Sequence, residues 1–303
     1  MQEITIGEII KYLRIEKGYS KSALCYGLCS ITALSRYEEG IRNPDIFLLD
    51  ALLQRLGTDI RQYDLLIDNN DYFIMKQRKI LKECLNTQCL YQIHAEINNY
   101  KDLIKHSKNL HDQFIYYILS ESQYMQMNYD ESLSLINTAL GFTECKYDIM
   151  DSALFTVIEL RLINLLAKNY FQKQEFKTAL PIYESILKYL RNNILINRSL
   201  KELYYDCLYD IARINFRNQN LGLAHIYIEE IISGYSENFF LKNYQEILEL
   251  KLKIDTAMGT VSDSLKEEAD KKILALSLIT KDFYEKMNQI LEDESCQSII
   301  SHL

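Results

Sequence analysis

Gly27-Leu28-Cys29-Ser30-Ile31-Thr32-Ala33-Leu34-Ser35-Arg36-Tyr37-Glu38-Glu39-Gly40 is the stretch that decides how this chain begins. A short helix ends near Gly27, the chain turns, and a second helix opens at Ser30. Ser30 suits that opening because its hydroxyl oxygen accepts a hydrogen bond from a free N–H of the first turn. Two short helices joined by a tight turn form a helix-turn-helix. Outward from it the chain is poor in turn-makers, with only 9 Gly and 2 Pro in 303 residues. Long helices with short connections, and an all-α fold, are expected throughout.

The second helix of such a pair fits the width of the DNA major groove. Residues 6–57 resemble the Xre/Cro-type helix-turn-helix domain, on the strength of Ile9, Arg14, Leu24, Leu34-Ser35-Arg36, Glu38, Gly40, Asn43-Pro44, Leu49, Leu52 and Leu56-Gly57. The resemblance implies five helices, at about 4–17, 20–27, 31–39, 45–56 and 59–66. It departs at Lys21 and Cys25, where that domain usually has Gln and Ala. Lys21 still reaches a phosphate but cannot make a bidentate base contact. By the docking of such heads, Ile31, Thr32, Ser35 and Arg36 would meet base edges, with Ser30 at the mouth of the same helix. Arg36 suits guanine, and Thr32 and Ile31 a thymine methyl. Ser20, Lys21, Ser22, Arg42 and Asn43 would hold phosphates. In the resembling domains the residues at Arg14 and Glu38 form a structural ion pair between the first and third helices.

Charge supports a small DNA-reading head on an acidic body. Of 34 basic and 42 acidic residues, eight of each lie in 1–62, so the whole net charge of -8 falls beyond it. Binding through a neutral head is expected to be salt-sensitive and to need two heads together. Seven cysteines, at 25, 29, 84, 89, 145, 207 and 296, form no CxxC and have no His at metal spacing. They read as buried thiols in a reducing compartment, with no metal and no cofactor expected. Met1-Gln2-Glu3 gives no signal peptide, and no apolar run approaches the ~20 residues of a membrane span. A cytoplasmic protein with no membrane partner is expected.

Beyond the head, residues 119–133, 166–180 and 211–225 line up. Each carries a small residue (Ser120, Ala167, Ala212), an aromatic (Tyr124, Phe171, Phe216), an apolar anchor (Tyr129, Phe176, Leu221) and a second small residue (Ser132, Ala179, Ala224). The steps from 132 to 179 and from 179 to 224 are 47 and 45 residues, longer than the ~34 of a tetratricopeptide unit, which the pattern otherwise resembles. Weaker units are expected around 71–106 and 239–280, with a capping helix at 283–295. The division is thus 1–66 for the head and 67–303 for a tetratricopeptide-like α-solenoid. Such stacks curve and bind extended ligands on the concave side. Register turns Phe114, Tyr117, Glu121 and Tyr124 inward from the first unit, Arg161, Asn164, Lys168 and Phe171 from the second, and Asp206, Tyr209, Arg213 and Phe216 from the third. Asn164 suits a peptide backbone, the aromatics its side chains, and Arg161, Lys168 and Arg213 a carboxylate. The alternative for these residues is a solvated face, with Arg161 and Arg213 paired to Glu159 or Asp210.

A head of this type followed by such an array resembles the Rgg/PlcR/PrgX group (the RRNPP regulators). The resemblance implies a quorum-sensing transcription regulator that forms a homodimer, binds a palindromic operator in double-stranded DNA, and answers to a short linear signalling peptide. Dimer contacts would come from the array, with Ile273, Leu274, Leu276, Leu278, Ile279 and Phe283 as one source. No Gly-rich phosphate loop, HExxH or GxSxG occurs, and the five His are scattered, so no enzyme is expected. The remaining alternatives are a repressor whose array binds a protein partner, and a scaffold that does not bind DNA.

Overall fold

Each helix of the head is opened by a side chain placed for it in the sequence. In the computed structural model α1 (Ile6–Glu16) begins at Thr5, which forms a capping box with Glu8. The next three, α2 (Lys21–Cys25), α3 (Ile31–Glu38) and α4 (Ile46–Arg55), begin at Ser20, Ser30 and Asp45. Their side-chain oxygens accept the N–H groups of Ala23, Ala33 and Leu48, each at 3.1 Å. Gly18, Gly40 and Gly57 close α1, α3 and α4 with φ of 70°, 68° and 67°. Beyond these glycines the N–H groups of Tyr19, Ile41 and Thr58 return to the carbonyls of Arg14, Arg36 and Leu53. Ile10, Leu24, Leu34, Leu52, Leu53 and Leu56 meet in the centre of the head, fully buried.

The structure describes residues 5–63, 69–104, 109–147, 150, 153–193, 198–234, 244–259 and 271. Two expectations for the head change. The second helix stops at Cys25 rather than Gly27, because Tyr26 is already extended at φ -52° and ψ 125°. The helix expected at 59–66 is a single 3-10 turn at Ile60–Gln62, and residues 64–66 lie outside the described residues.

The helices that follow are α5 (Asn69–Asn86), α6 (Ile93–Leu103), α7 (Asn109–Met125), α8 (Tyr129–Gly141), α9 (Val157–Gln172), α10 (Phe176–Asn193), α11 (Arg198–Arg217), α12 (Leu221–Gly234) and α13 (Tyr244–Ala257). Among the described residues every regular element is helical, and no helix is long and apolar enough to cross a membrane. Two compact units are present, 1–207 and 208–303.

The repeat is written into the backbone. Met127, Gln174 and Gln219 take left-handed φ of 63°, 64° and 63°, at the same place in each helix pair. After each, the N–H of Asn128, Glu175 or Asn220 returns to the carbonyl of Gln123, Tyr170 or Asn215 at 2.9 Å. Gln88, at φ 58°, repeats the device between α5 and α6, with Cys89 N–H on the Cys84 carbonyl. Glutamine and methionine stand where the head uses glycine, which is how so long a helical chain manages with few glycines. All six small residues of the repeat are fully buried. Ser132 Oγ donates to the Ser120 carbonyl at 2.9 Å, a contact only a small side chain permits where two backbones close up. Tyr124 packs against Tyr129, and Phe171 against Phe176, at ring separations of 5.8 and 5.4 Å. The 283–295 helix and the apolar set from Ile273 to Phe283 lie outside the described residues.

Candidate functional site

The DNA-facing candidates stand on a head held rigid by one ion pair. Arg14 Nε lies 2.6 Å from Glu38 Oε1, Nη2 lies 3.0 Å from Oε2, and Nη1 donates to the Tyr19 carbonyl. Glu38 is almost wholly buried, so the pair ties α1 to α3 across the core. Ser20, Ser22, Ser30, Ile31, Thr32, Arg36, Arg42 and Asn43 are exposed, and Ser35 is half-buried. Two of them already have work within the head: Ser20 and Ser30 cap α2 and α3. Lys21 departs from a simple phosphate contact. Its ammonium donates to Ser35 Oγ at 2.9 Å and lies 3.6 Å from Glu38, because that buried carboxylate is the nearest anion.

The first compact unit gathers a second set of charges from α7, α9 and α11. Tyr117 is buried, and its phenol pKa is raised by burial and by the Glu121 charge while Arg161 acts against the rise. Burial raises the Glu121 carboxyl above its ordinary range, while Lys168, Arg161 and the Tyr117 hydroxyl pull the other way. Lys168 Nζ lies 3.4 Å from Asp206 Oδ2, and Arg161 Nη2 lies 3.7 Å from Glu202 Oε2. Tyr124 is half-buried, and its hydroxyl accepts from Gln172 at 3.1 Å.

Four expectations for this surface are corrected. Phe171 belongs to the core: it is 2% exposed and packed edge-on against Phe176, which plugs the junction within its helix pair. Phe114 is likewise buried, and Asn164 is buried with its Oδ1 accepting from the Cys207 thiol at 3.4 Å. Arg161 turns to Glu202, because Glu159 is taken by Arg55. In the second unit Arg213 lies 3.1 Å from Asp210 and stands 5.5 Å over the Tyr209 ring, while Phe216 is half-buried.

Lys82 on α5 is the residue that sequence reading missed. Its ammonium stands 5.8 Å from the Phe114 ring, and its pKa is pushed down to about 8 by desolvation, then by Arg161 and Arg78. Asp50 of α4 acts in its favour. Asp50 is itself raised by burial and accepts from Gln54 Nε2 at 2.8 Å. On helical spacing alone Lys82 reads as a solvated lysine with Arg78 one turn before it on α5, and it is the approach of α9 that adds Arg161 as a second cationic neighbour.

The head is seated on the array within this same unit. Arg55 Nη2 lies 3.2 and 3.4 Å from the two Glu159 oxygens, and Arg55 Nη1 donates to the Leu24 and Tyr26 carbonyls. Gln54 Oε1 accepts from Val157 N–H at 2.9 Å, in the first turn of α9. Gly27 touches the array directly: a Cβ there would fall 1.8 Å from the Thr143 carbonyl oxygen. Phe47 of α4 packs on His111 of α7 at 4.7 Å, with the Arg78 guanidinium 4.3 Å over its ring.

A helix-turn-helix family model matches residues 10–63. No curated protein matches the chain by sequence. Among solved structures, Bacillus thuringiensis PlcR, crystallised with the peptide PapR7 and DNA, is similar over 93% of this chain and 98% of its own, at 16% identity and a TM-score of 0.56. The apo form of ComR from S. thermophilus is similar over 91% of this chain and 94% of its own, at 14% identity and a TM-score of 0.52. The chain therefore carries a helix-turn-helix head and shares the fold of these two proteins along nearly its whole length.

Proposed function

We propose that this chain is a cytoplasmic transcription regulator that binds DNA through α3 and is controlled by a short linear signalling peptide bound to its helical repeats. The observation that carries the reading is the charged surface of α5, α7, α9 and α11, attached to a head whose recognition helix is open to solvent. Lys82 makes no hydrogen bond or ion pair among the described residues, and desolvation plus two cations disfavour its charge. A carboxylate placed between Lys82 and Arg161, from a peptide C-terminus or an acidic side chain, would relieve that repulsion. Glu121 would receive backbone N–H groups of the extended chain, and Tyr124 and Lys168 would line its path. PlcR, whose fold this chain shares, was crystallised with both a peptide and DNA, which supports the same pair of partners here.

On this reading the protein works as a homodimer. One head has about four base-reading side chains and no net charge, too little to select a genomic site alone. Two heads on a two-fold axis address the half-sites of a palindromic operator. The fit of a protein partner in place of a peptide draws on a different feature. Leu223 and Ile226, one turn apart on α12, are 50% and 58% exposed.

The deciding experiment is fluorescence anisotropy of the full chain on its own upstream DNA, with and without synthetic peptides from neighbouring small reading frames. A peptide that shifts specific binding, and stops doing so in Arg161→Ala and Lys82→Ala, is the expected result. Specific binding that no peptide alters would transfer the array to a protein partner. Equal binding to scrambled DNA would leave only a scaffold.

A further inference from the structure

The seat of the head on the array forms a half-open cleft of about 310 Å³, within the ~300–1,000 Å³ range of small-molecule sites. Its walls come from α2, Tyr26 and the end of α4 in the head, and from residues 143–159 of the array. It shares no lining residue with the Lys82–Arg161–Glu121 surface. Glu159 lines it, and Arg161, two positions on, does not face the same way, since residues so spaced on a helix point apart.

Tyr26, Leu154 and Phe155 make its apolar side. Phe155 is a fixed wall: it is 3% exposed, packs edge-on against Tyr189 at 5.2 Å, and its N–H donates to the Tyr189 hydroxyl. Tyr26 is 41% exposed, an aromatic ring left partly uncovered in the same lining. The charged lining is Arg55, Glu159 and Lys146, two cations against one anion. Lys146 is exposed and stands 5.9 Å from the Tyr26 ring. Arg55 is 4% exposed, and its Nε has no acceptor although its other nitrogens are bonded.

We infer that this cavity is a binding site for a small aromatic monocarboxylate, separate from the peptide surface. The ring lies between Tyr26 and Phe155, and the carboxylate neutralises the excess positive charge at Lys146, Arg55 being paired with Glu159. One negative charge is what the lining lacks, and a flat apolar body is what its aromatic walls accept. An occupant touches the head and the array at once, so it holds the head in the seat described above.

The test uses 1-naphthoate as the probe, titrated calorimetrically into the full chain. Saturable uptake of one molecule per chain is expected. Lys146→Ala, at an exposed position that folding does not need, should weaken it about fivefold, the scale of one partly exposed charge contact. Ala153→Phe, which fills the cavity, should abolish it, while Arg161→Ala leaves it unchanged. No saturable uptake overturns the inference. So does uptake that survives both cavity variants, or that disappears in Arg161→Ala, since the probe would then occupy the peptide surface.

Discussion

Glu159 holds the Arg55 guanidinium at 3.2 Å with both side chains almost wholly buried, 104 residues apart in sequence. The same carboxylate closes a capping box on Thr156, accepting its N–H at 2.7 Å, so one acid both starts α9 and fastens the head to it. Removing one member of a buried pair strands the other charge, which costs about 3–5 kcal/mol, whereas replacing both by apolar groups costs far less. Glu159→Gln is therefore expected to lower stability by about 3 kcal/mol or more. Arg55→Met with Glu159→Leu should recover most of that, short of about 1 kcal/mol for the lost cap. A double-mutant cycle in urea measures the coupling, and additive losses would show the two side chains to be energetically separate.

Two glycines with the same backbone separate strain from contact. Gly18 and Gly27 both have left-handed φ, of 70° and 66°. A Cβ at Gly18 meets nothing, while one at Gly27 meets the Thr143 carbonyl. Gly18→Ala should cost about 1 kcal/mol, the ordinary strain of a side chain in that conformation. Gly27→Ala must also move the turn away from the array, so its loss should be clearly larger in thermal denaturation. Hydrogen exchange should rise in α2 and around Thr143 in that variant alone. Equal losses would mean that the turn does not bear on Thr143.

The parts of this molecule legible in the sequence are those fixed by local rules. Ser30 and Asp45 are caps wherever they precede an apolar-periodic run, and the small residues Ser120, Ala167 and Ala212 mark close helix approach at a readable period. The Arg14–Glu38 pair could be anticipated only through the resemblance of the head to a known domain. What local rules cannot supply is the partner of a charge. Arg161 reads equally well toward Glu159 or toward a groove until Arg55 is seen to occupy Glu159. Lys82 is exposed in the structure too, and what the sequence could not show is that Arg161 of α9 stands near its charge. Register turns Phe171 inward, but it is needed to plug the junction of its own pair against Phe176, and there burial wins over display.

Lys82 gives the surface a pH signature whose sign follows from its pKa of about 8 against the ordinary 10.5. Below about pH 8 the folded and unfolded chains both hold the proton, and the folded state carries the full cost of an ammonium beside Arg161 and Arg78. Between about 8 and 10.5 the unfolded chain binds more protons, so this residue makes stability rise with pH. Lys82→Met should remove the rise, leaving a flatter profile than the parent in urea denaturation from pH 7 to 10. Parallel profiles would show Lys82 to be an ordinary solvated lysine.

Arg36 tests whether α3 reads sequence or only holds phosphate. It is exposed in the last turn of α3, and no hydrogen bond within the head restrains its guanidinium among those described. A bidentate contact to guanine is worth about 1–3 kcal/mol of discrimination, whereas a phosphate contact weakens all sequences alike and lowers the salt slope by about one. Arg36→Ala should therefore lose about 5- to 150-fold on the operator and much less on scrambled DNA. Arg42→Ala, at the exposed position beyond the helix, should lose affinity on both alike. Anisotropy titrations at two salt concentrations separate the cases. Were Arg36→Ala to behave as Arg42→Ala is expected to, base reading would pass to Thr32 and Ser35, and guanine would drop out of the operator that this head prefers.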